Sequence, residues 1–287
     1  MENTSNPEEM LKEIITGFVR ESRENKAKAF EGQRYWDDPL VGFADGGDSL
    51  FHEYKKIIGD FHMTPAEALG KVYPAEVDEK SPVFVISWIL PASEAVRASN
   101  RNQTELPSKF WSHARNFGEI CNMALRDHVV AALRSRGYRA VAPFNAQHFR
   151  RLDDTPVGIA SNWSERHVAH ACGLGTFGLS DGLITQRGKA MRCGSVVTDM
   201  PLTPTPRPYK IHTEYCLFST HGTCGECIGR CPSGAISEAG HDKEMCWKYV
   251  YNKVKSTVNA MYGVVTGGCG LCQAGVACEA CIPEPKT

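Results

Sequence analysis

Apolar and polar residues near the N-terminus recur with the period of an amphipathic helix. Asn6 suits the cap of this helix, and Pro7 suits its first position. Residues 83–90 (VFVISWIL) then read as a buried strand that Pro91 closes. The stretch from Tyr35 to Gly70 is mixed in pattern and contains several glycines.

A long helical pattern follows over residues 108–136 and ends at Gly137, and residues 138–144 read as the next strand. Residues 92–107 are polar and predict a loop. Strand, long helix and strand form a βαβ-like unit, so an α/β fold is predicted for the N-terminal part. Further predicted elements are a helix over 163–172 and strands over 183–185 and 195–198.

A proline-rich stretch divides the chain into two predicted domains. Prolines at 201, 204, 206 and 208 make a stiff linker. We therefore predict an α/β domain over residues 1–205 and a small cysteine-rich domain over residues 206–287.

Composition excludes several classes of protein. The formal net charge of −1 gives no global reason to expect DNA or an acidic membrane as partner, and no apolar run approaches the length that crosses a bilayer. The N-terminal 18 residues lack the features of a signal peptide, so we expect the protein to stay in the cytoplasm. Thiols there are kept reduced, and the 12 cysteines therefore point to metal and not to disulfides.

Most of the cysteines follow the spacing of a bacterial ferredoxin. The segment from Cys224 to Pro232 reads C-x2-C-x3-C-P. In bacterial ferredoxins the first two cysteines of this pattern bind one cluster, and the last cysteine binds the other cluster. We assign one [4Fe–4S] cluster to Cys216, Cys224, Cys227 and Cys278. The other cluster is assigned to Cys231, Cys246, Cys269 and Cys272.

Three alternatives stay open for the cysteines. Cys281 could replace Cys278 as the eighth ligand, and His221 could replace Cys216. The three C-x2-C pairs could instead form zinc knuckles, although the C-P continuation favours iron and sulfur. The remaining cysteines, Cys121, Cys172 and Cys193, are expected to be small buried residues.

The segment 173–178 has the formal pattern G-x-G-x-x-G. The residues before it predict a helix instead of a strand, and glycines at 182 and 188 break the segment that follows, so a nicotinamide site is rejected. From the loop alone, a plain tight connection is the favoured interpretation. His167 and His170 lie just before it and are candidate proton donors or ligands, because histidine titrates near neutrality. Arg150 and Arg151 suggest a solvated face.

Several ordered motifs make the chain resemble the epoxyqueuosine reductase and reductive dehalogenase family. They are GYRAVAPFN, ACGLGTFGLSDGLIT, VVTDMPL, CGECIGRCPSGAI, DKEMCWKYV and GGCGLCQ, and the resemblance runs from about Ser81 to the C-terminus. The resemblance implies a nitroreductase-like α/β domain that binds cobalamin and a ferredoxin-like domain with two [4Fe–4S] clusters. It also implies that the glycine loop and the next strand line the corrinoid pocket, through Gly173, Gly175, Gly178, Leu183 and Thr185.

The chain departs from the family at two places. The proton-donor aspartate of epoxyqueuosine reductases would fall near Ile159, where no aspartate stands, and the final Cys-Pro is replaced by CEACIP. Reductive cleavage consumes protons, and the nearby candidates for a donor are Glu165, His167 and His170.

These features predict a corrinoid-dependent iron–sulfur reductase. Its substrate would be a small organic or nucleoside-like molecule, and its electrons would come from an external donor such as ferredoxin or flavodoxin. The alternatives are a non-catalytic electron carrier or reductive activator without corrinoid, and a zinc-knuckle interaction protein.

Overall fold

The computed structural model describes residues 6–285. Residues 1–5, which belong to the segment judged to lack a signal peptide, lie outside the described residues, as do 286–287. The α-helices are α1 Pro7–Glu21, α2 Ser49–Ile58, α3 Pro65–Gly70, α4 Glu94–Arg101, α5 Lys109–Arg134, α6 Glu165–Ala171, α7 Leu217–His221, α8 Glu226–Gly229, α9 Lys243–Lys248 and α10 Lys255–Tyr262. None of the helices in this part of the chain is long and apolar enough to cross a bilayer.

The strands form one central sheet and several short hairpins. They are β1 Lys26–Ala27, β2 Gln33–Arg34, β3 Leu40–Asp45, β4 Phe84–Pro91, β5 Ala140–Val141, β6 Arg151–Leu152, β7 Ala160–Ser161, β8 Thr176–Phe177, β9 Leu183–Ile184, β10 Met191–Thr198, β11 Ile236–Ser237 and β12 Gly240–His241. Short 3-10 turns occupy Arg23–Asn25, Lys28–Phe30, Pro143–Asn145 and Leu271–Gln273, and Tyr249–Val254 is a π-helical segment between α9 and α10.

The central sheet has the order β3-β4-β10-β5, with every neighbouring pair antiparallel. Strands β4 and β5 therefore run parallel to each other, and β10 lies between them. The predicted βαβ-like unit is thus present in split form, with α5 as its crossover. The mixed α/β class is confirmed.

Two apolar layers cover the sheet. One core packs α1 and α5 against one face through residues such as Ile15 on α1 and Leu125 on α5, and the fully buried Trp88 belongs to it. The other core packs α2, α3 and α6 against the opposite face, with Phe51, Ile89 and Val168 among its members. A small third cluster around Cys227, Ile236 and Val276 lies in the cysteine-rich segment.

One sequence-based expectation needs correction, and one stretch without predicted elements proves to contain three. The predicted loop 92–107 contains α4, because Ser93 caps the helix by accepting from Val96 N and because Val96, Arg97 and Asn100 are buried. The mixed stretch before Gly70 contains β3, α2 and α3. Thr64 and Glu67 form a capping box at α3, a short-range signal that was present in the sequence.

The proline-rich segment runs beside β3. Thr205 N donates to Phe43 O at 2.9 Å, and Phe43 N donates to Thr205 Oγ1 at 3.0 Å. The segment therefore covers the exposed edge of the sheet, as well as joining the two parts of the chain. The division into domains at 205/206 stays a prediction.

Candidate functional site

One set of cysteines borders a small cavity in the C-terminal part of the chain. Cys216, Cys224, Cys227 and Cys278 all line it, and we call them the first thiol group. Burial raises the pKa of Cys278 to about 11, and the neighbouring thiols of Cys227, Cys216 and Cys224 also raise it. These four sulfur atoms are therefore close enough to act on one another.

A second set borders another cavity, of about 260 Å³. Its members are Cys231, Cys246, Cys269 and Cys272, and we call them the second thiol group. Burial raises the pKa of Cys269 to about 12, with further contributions from Cys272, Cys246 and Cys231. Burial and the thiols of Cys272 and Cys231 raise the pKa of Cys246 to about 11.

The two groups are interleaved along the chain. Cys231 follows Cys227 after a single turn but borders the other cavity, and Cys278 returns to the first cavity from the far end of the segment. Cys281 is exposed and lines neither cavity, with its Sγ 3.8 Å from Ala277 O. His221 is exposed, and its Nδ1 lies 2.7 Å from Thr220 Oγ1. The cysteines that line each cavity are the four that the sequence spacing assigned to each cluster. Metal binding by these residues stays a prediction.

Lys189 is a buried cation between the two thiol groups. It lies just before β10, and its Nζ donates to Ser180 Oγ at 2.8 Å. Burial opposes its charge, but the thiols of Cys278, Cys272, Cys227 and Cys216 outweigh this and raise the pKa of Lys189. Its backbone N also donates to Cys278 O at 2.9 Å, so the return of the chain to the first group is attached to the strand that carries this lysine.

A third cavity is a cleft of about 590 Å³, which lies within the size range of small-molecule sites. We refer to it as the cleft. The sheet side contributes aromatic and aliphatic residues such as Phe144, Trp163 and Leu183, and the C-terminal part contributes Trp247 and Val250. Cys246 borders both the cleft and the second cavity, so the second thiol group adjoins the cleft.

Glu165, at the start of α6, is the candidate donor with the most distinctive surroundings. It lines the cleft, its Oε2 accepts from Ser195 Oγ at 2.6 Å, and its Oε1 accepts from Arg126 Nε at 3.2 Å. Burial raises the pKa of Glu165, although Arg126 and Ser195 act in the opposite direction. A carboxyl group with these properties keeps its proton to a higher pH than an exposed glutamate does.

The two candidate histidines differ in position. His167 lines the cleft, its Nδ1 lies 2.7 Å from Ser164 Oγ, and burial lowers its pKa to about 3. His170 is buried away from the cleft lining, where its Nδ1 lies 2.8 Å from Gly175 O and its ring stacks on Tyr209. The structure therefore brings Glu165 and His167 to the cleft and holds His170, on α6, against the glycine loop.

The glycine loop packs against the chain itself. A Cβ at Gly175 would lie 2.3 Å from Ile184 O, and one at Gly173 would lie 2.8 Å from Pro206 O. A Cβ at Gly178 would lie 3.1 Å from Ile184 Cδ1, and the Thr185 hydroxyl donates to Gly188 O at 2.8 Å. These contacts account for the glycines as a tight connection. Of the residues expected to face a corrinoid, Leu183 lines the cleft.

Sequence reasoning missed the basic residues of the cleft. Arg115, Arg151 and Arg192 all line it, and Arg151 belongs to the segment that was interpreted as a solvated face. Arg115, Glu119 and Arg126 are spaced by four and seven residues on α5 and so share one helix face, which was the available signal. Arg151 and Arg192 lie on separate strands, so no spacing in the sequence connected them to the cleft.

Similarity to known proteins is found at the level of structure. No protein-family model matches the chain. A search of curated proteins finds no match either. The structure of a selenomethionine-labelled epoxyqueuosine reductase is similar, with a TM-score of 0.50 and 15% identity over 94% of this chain and 66% of that chain.

Two further solved structures are similar at lower scores. Epoxyqueuosine reductase from Bacillus subtilis gives a TM-score of 0.46 with 14% identity, covering 84% of this chain and 61% of that chain. The catabolic reductive dehalogenase NpRdhA gives 0.49 with 15% identity, covering 91% and 35%. The chain thus spans less than two thirds of these relatives' length. The resemblance expected from the motifs is confirmed at the level of the fold.

Proposed function

We propose that this protein is an iron–sulfur reductase that passes electrons through two [4Fe–4S] clusters to a small organic or nucleoside-like substrate bound in the cleft. The observation that carries the proposal is the pair of interleaved thiol groups, one of which adjoins the cleft through Cys246. The fold similarity to epoxyqueuosine reductase supports a reductase of this general kind.

The thiol groups suit clusters in the chemistry of their donors. Within residues 6–285, no three histidine, cysteine, aspartate or glutamate side chains converge on a point where one metal ion could sit. A four-iron cube is bound at its separate corners, so its thiolates surround a cavity. Each group contributes four thiols around such a cavity. The buried cation Lys189 lines the first cavity and also interacts with Cys272 of the second group.

The positions of the groups suggest a direction for the electrons. Cys246 of the second thiol group lines the cleft, whereas none of the four cysteines of the first group does. We propose that an external donor such as ferredoxin or flavodoxin reduces the cluster of the first group. The cluster of the second group then delivers electrons to the cleft.

The cleft residues fit a corrinoid in kind. Aromatic and aliphatic side chains stand on both sides, namely Phe144 and Trp163 on one and Trp247 and Val250 on the other, and these suit a large flat ring. Arginines in the lining suit the phosphate of its nucleotide tail. A bound corrinoid would supply a cobalt centre able to accept single electrons and to act on the substrate.

Glu165 is the proposed source of the proton that reductive cleavage consumes. Its raised pKa keeps the carboxyl group protonated to higher pH than an exposed glutamate, and Ser195 and Arg126 fix its orientation. His167 is neutral at physiological pH because of its lowered pKa, so it is the weaker source of a proton.

Metal analysis of anaerobically purified protein tests the proposal. We expect about eight iron and eight sulfide per chain from two four-iron clusters, the broad visible absorption of such clusters, and stoichiometric uptake of added cobalamin. Full clusters without cobalamin uptake would leave an electron carrier or activator as the function. Zinc in place of iron would refute both and favour the zinc-knuckle alternative.

A second experiment tests Glu165. Glu165→Gln keeps the size of the side chain and its ability to accept from Ser195, but it has no acidic proton. Under cobalamin-supported turnover with a chemical reductant, we expect kcat to fall by about 10²-fold or more. Glu105→Gln, at an exposed carboxylate that pairs with Lys253, is the matched control. Equal rates for wild type and Glu165→Gln would exclude Glu165 as the donor.

A further inference from the structure

Two guanidinium groups meet at a tyrosine hydroxyl in one part of the cleft, and a third lines the same cleft. Arg151 Nη1 lies 3.5 Å from the Tyr251 hydroxyl oxygen, and Arg115 interacts with the same tyrosine. Although burial acts in the opposite direction, these two arginines lower the pKa of Tyr251. Arg192 is the third member, because it lines the same cleft and pairs with Glu119, which lies one helical turn after Arg115 on α5.

The negative charge nearby is small and already shared. Glu119 Oε2 lies 3.6 Å from Arg192 Nε, but its Oε1 lies 3.1 Å from Arg126 Nη1. Asp153 lies 3.5 Å from Arg151 Nε and is itself 76% exposed, so solvent screens that pair. Burial, and then the like charge of Arg115, lowers the pKa of Arg192 to about 10. Like charges held close together repel one another, and a bound anion would relieve that repulsion.

The cluster comes from separate parts of the chain. Arg115 is on α5, Arg151 on β6, Arg192 on β10 and Tyr251 in the π-helical segment. Each of these side chains lines the cleft, and Tyr251 comes from the cysteine-rich part of the chain. A site built by four elements at a cavity wall is positioned by the whole fold, unlike a run of basic residues on one exposed helix.

We propose that Arg115, Arg151, Arg192 and Tyr251 bind an oxyanion, a carboxylate or phosphate group, at this end of the cleft. Guanidinium groups present paired N–H donors that match the oxygens of such groups, and the tyrosine hydroxyl adds a further donor. The inference rests on the proposed use of the cleft as the substrate site and narrows the substrate to an anionic molecule. The phosphate of a corrinoid's nucleotide tail is the other source of the same chemistry.

Calorimetric titration of the anaerobically purified protein with benzoate and with inorganic phosphate tests the site. We expect saturable binding that weakens about ten- to a hundredfold in Arg115→Gln and in Arg192→Gln. Arg136→Gln, at the exposed end after α5, is the control and should bind like wild type. Equal affinity in all three variants would overturn the proposal.

Thermal unfolding separates a binding role from a structural one. Because the cations repel one another, Arg192→Gln should unfold at the same temperature as wild type or higher without ligand. Benzoate or phosphate should then raise the melting temperature of wild type but not that of the variant. If Arg192→Gln is less stable than wild type without ligand, Arg192 serves the fold, and the proposal is overturned for this residue. Arg151→Gln repeats the test at a half-exposed side chain, where a substitution is less of a risk to folding.

Two further experiments identify the source of the anion and test whether the arginines act on the second cluster instead. Competition between phosphate and cobalamin, but not cobinamide, which lacks the nucleotide tail, would assign the site to the corrinoid phosphate. Binding of benzoate alongside cobalamin would assign it to the substrate. Unchanged anion affinity with a shifted potential of the second cluster would overturn the proposal, because Arg115 and Arg192 also border the second cavity. Iron content is measured on the same samples, so failure of the clusters is distinguished from failure of the anion site.

Discussion

Lys189 Nζ lies 2.8 Å from Ser180 Oγ, and this hydrogen bond holds a buried ammonium group between two sets of thiols. One-electron reduction adds a negative charge to an iron–sulfur cluster, so a nearby buried cation stabilises the reduced form. The proposed clusters should therefore have higher reduction potentials with Lys189 than without it. The first cluster should respond more, because three of the four thiols that interact with Lys189 belong to its group.

We predict that Lys189→Met makes reduction of the first cluster roughly tenfold less favourable, a shift of about 59 mV to more negative potential for a one-electron couple. Anaerobic redox titration followed by electron paramagnetic resonance measures it. Lys189→Arg keeps the charge and should change the potential less. A neutral variant with both clusters intact and unaltered potentials would contradict this role.

The interleaved thiol groups predict different lesions from two neighbouring cysteines. Cys224→Ser should damage the cluster of the first group, and Cys231→Ser that of the second, although only seven residues separate them. Each variant should keep about half of the iron, since one four-iron cluster of two survives. The resonance spectra of the surviving clusters should differ, and the exposed Cys281→Ser should lose nothing. Loss of the same cluster in both variants would refute the partition.

The contact between the glycine loop and β9 predicts a stability defect that does not depend on any cofactor. Gly175→Ala would place a Cβ 2.3 Å from Ile184 O, and we expect a loss of about 2 kcal/mol or more in the free energy of unfolding. Gly17→Ala is the control, because Gly17 lies in α1 with nothing within 4 Å of an added Cβ. That control should gain about 0.5–1 kcal/mol. Urea denaturation of the metal-free proteins measures both changes.

His167 predicts a pH dependence of stability. Burial lowers its pKa from 6.5 to about 3 in the folded state, so the unfolded chain binds the extra proton between these values. Stability from the neutral imidazole is therefore complete above pH 6.5 and falls as the pH decreases toward 3. In His167→Asn this loss should be smaller, by up to about 1 kcal/mol per pH unit. Urea denaturation at pH values of about 7.5, 6.0 and 4.5, which span the unperturbed histidine pKa, measures this difference in stability. His52→Asn, at an exposed histidine, is the control. Parallel pH profiles would contradict the argument.

The sequence by itself determined the local features of this protein. The caps and apolar stripe of α1, the buried strand β4 and the long helix α5 depend on neighbouring residues, and they stand within one or two residues of prediction. The cysteine spacing indicated two groups because a tight loop can direct only some of its thiols to one side. The helix α4 was missed because its apolar face is short and includes Arg97 and Asn100, which are buried through tertiary contacts.

Only the tertiary structure decided the composition of the cleft. Glu165 is the proposed proton donor because burial raises its pKa, while Arg126 from α5 and Ser195 from β10 fix the orientation of its carboxyl group. The arginines and Tyr251 come from four separate elements, so no spacing along the chain connects them. Lys189 gains its position through contacts with Ser180 and Cys278. Charges act through space and burial, and neither quantity is set until the chain has folded.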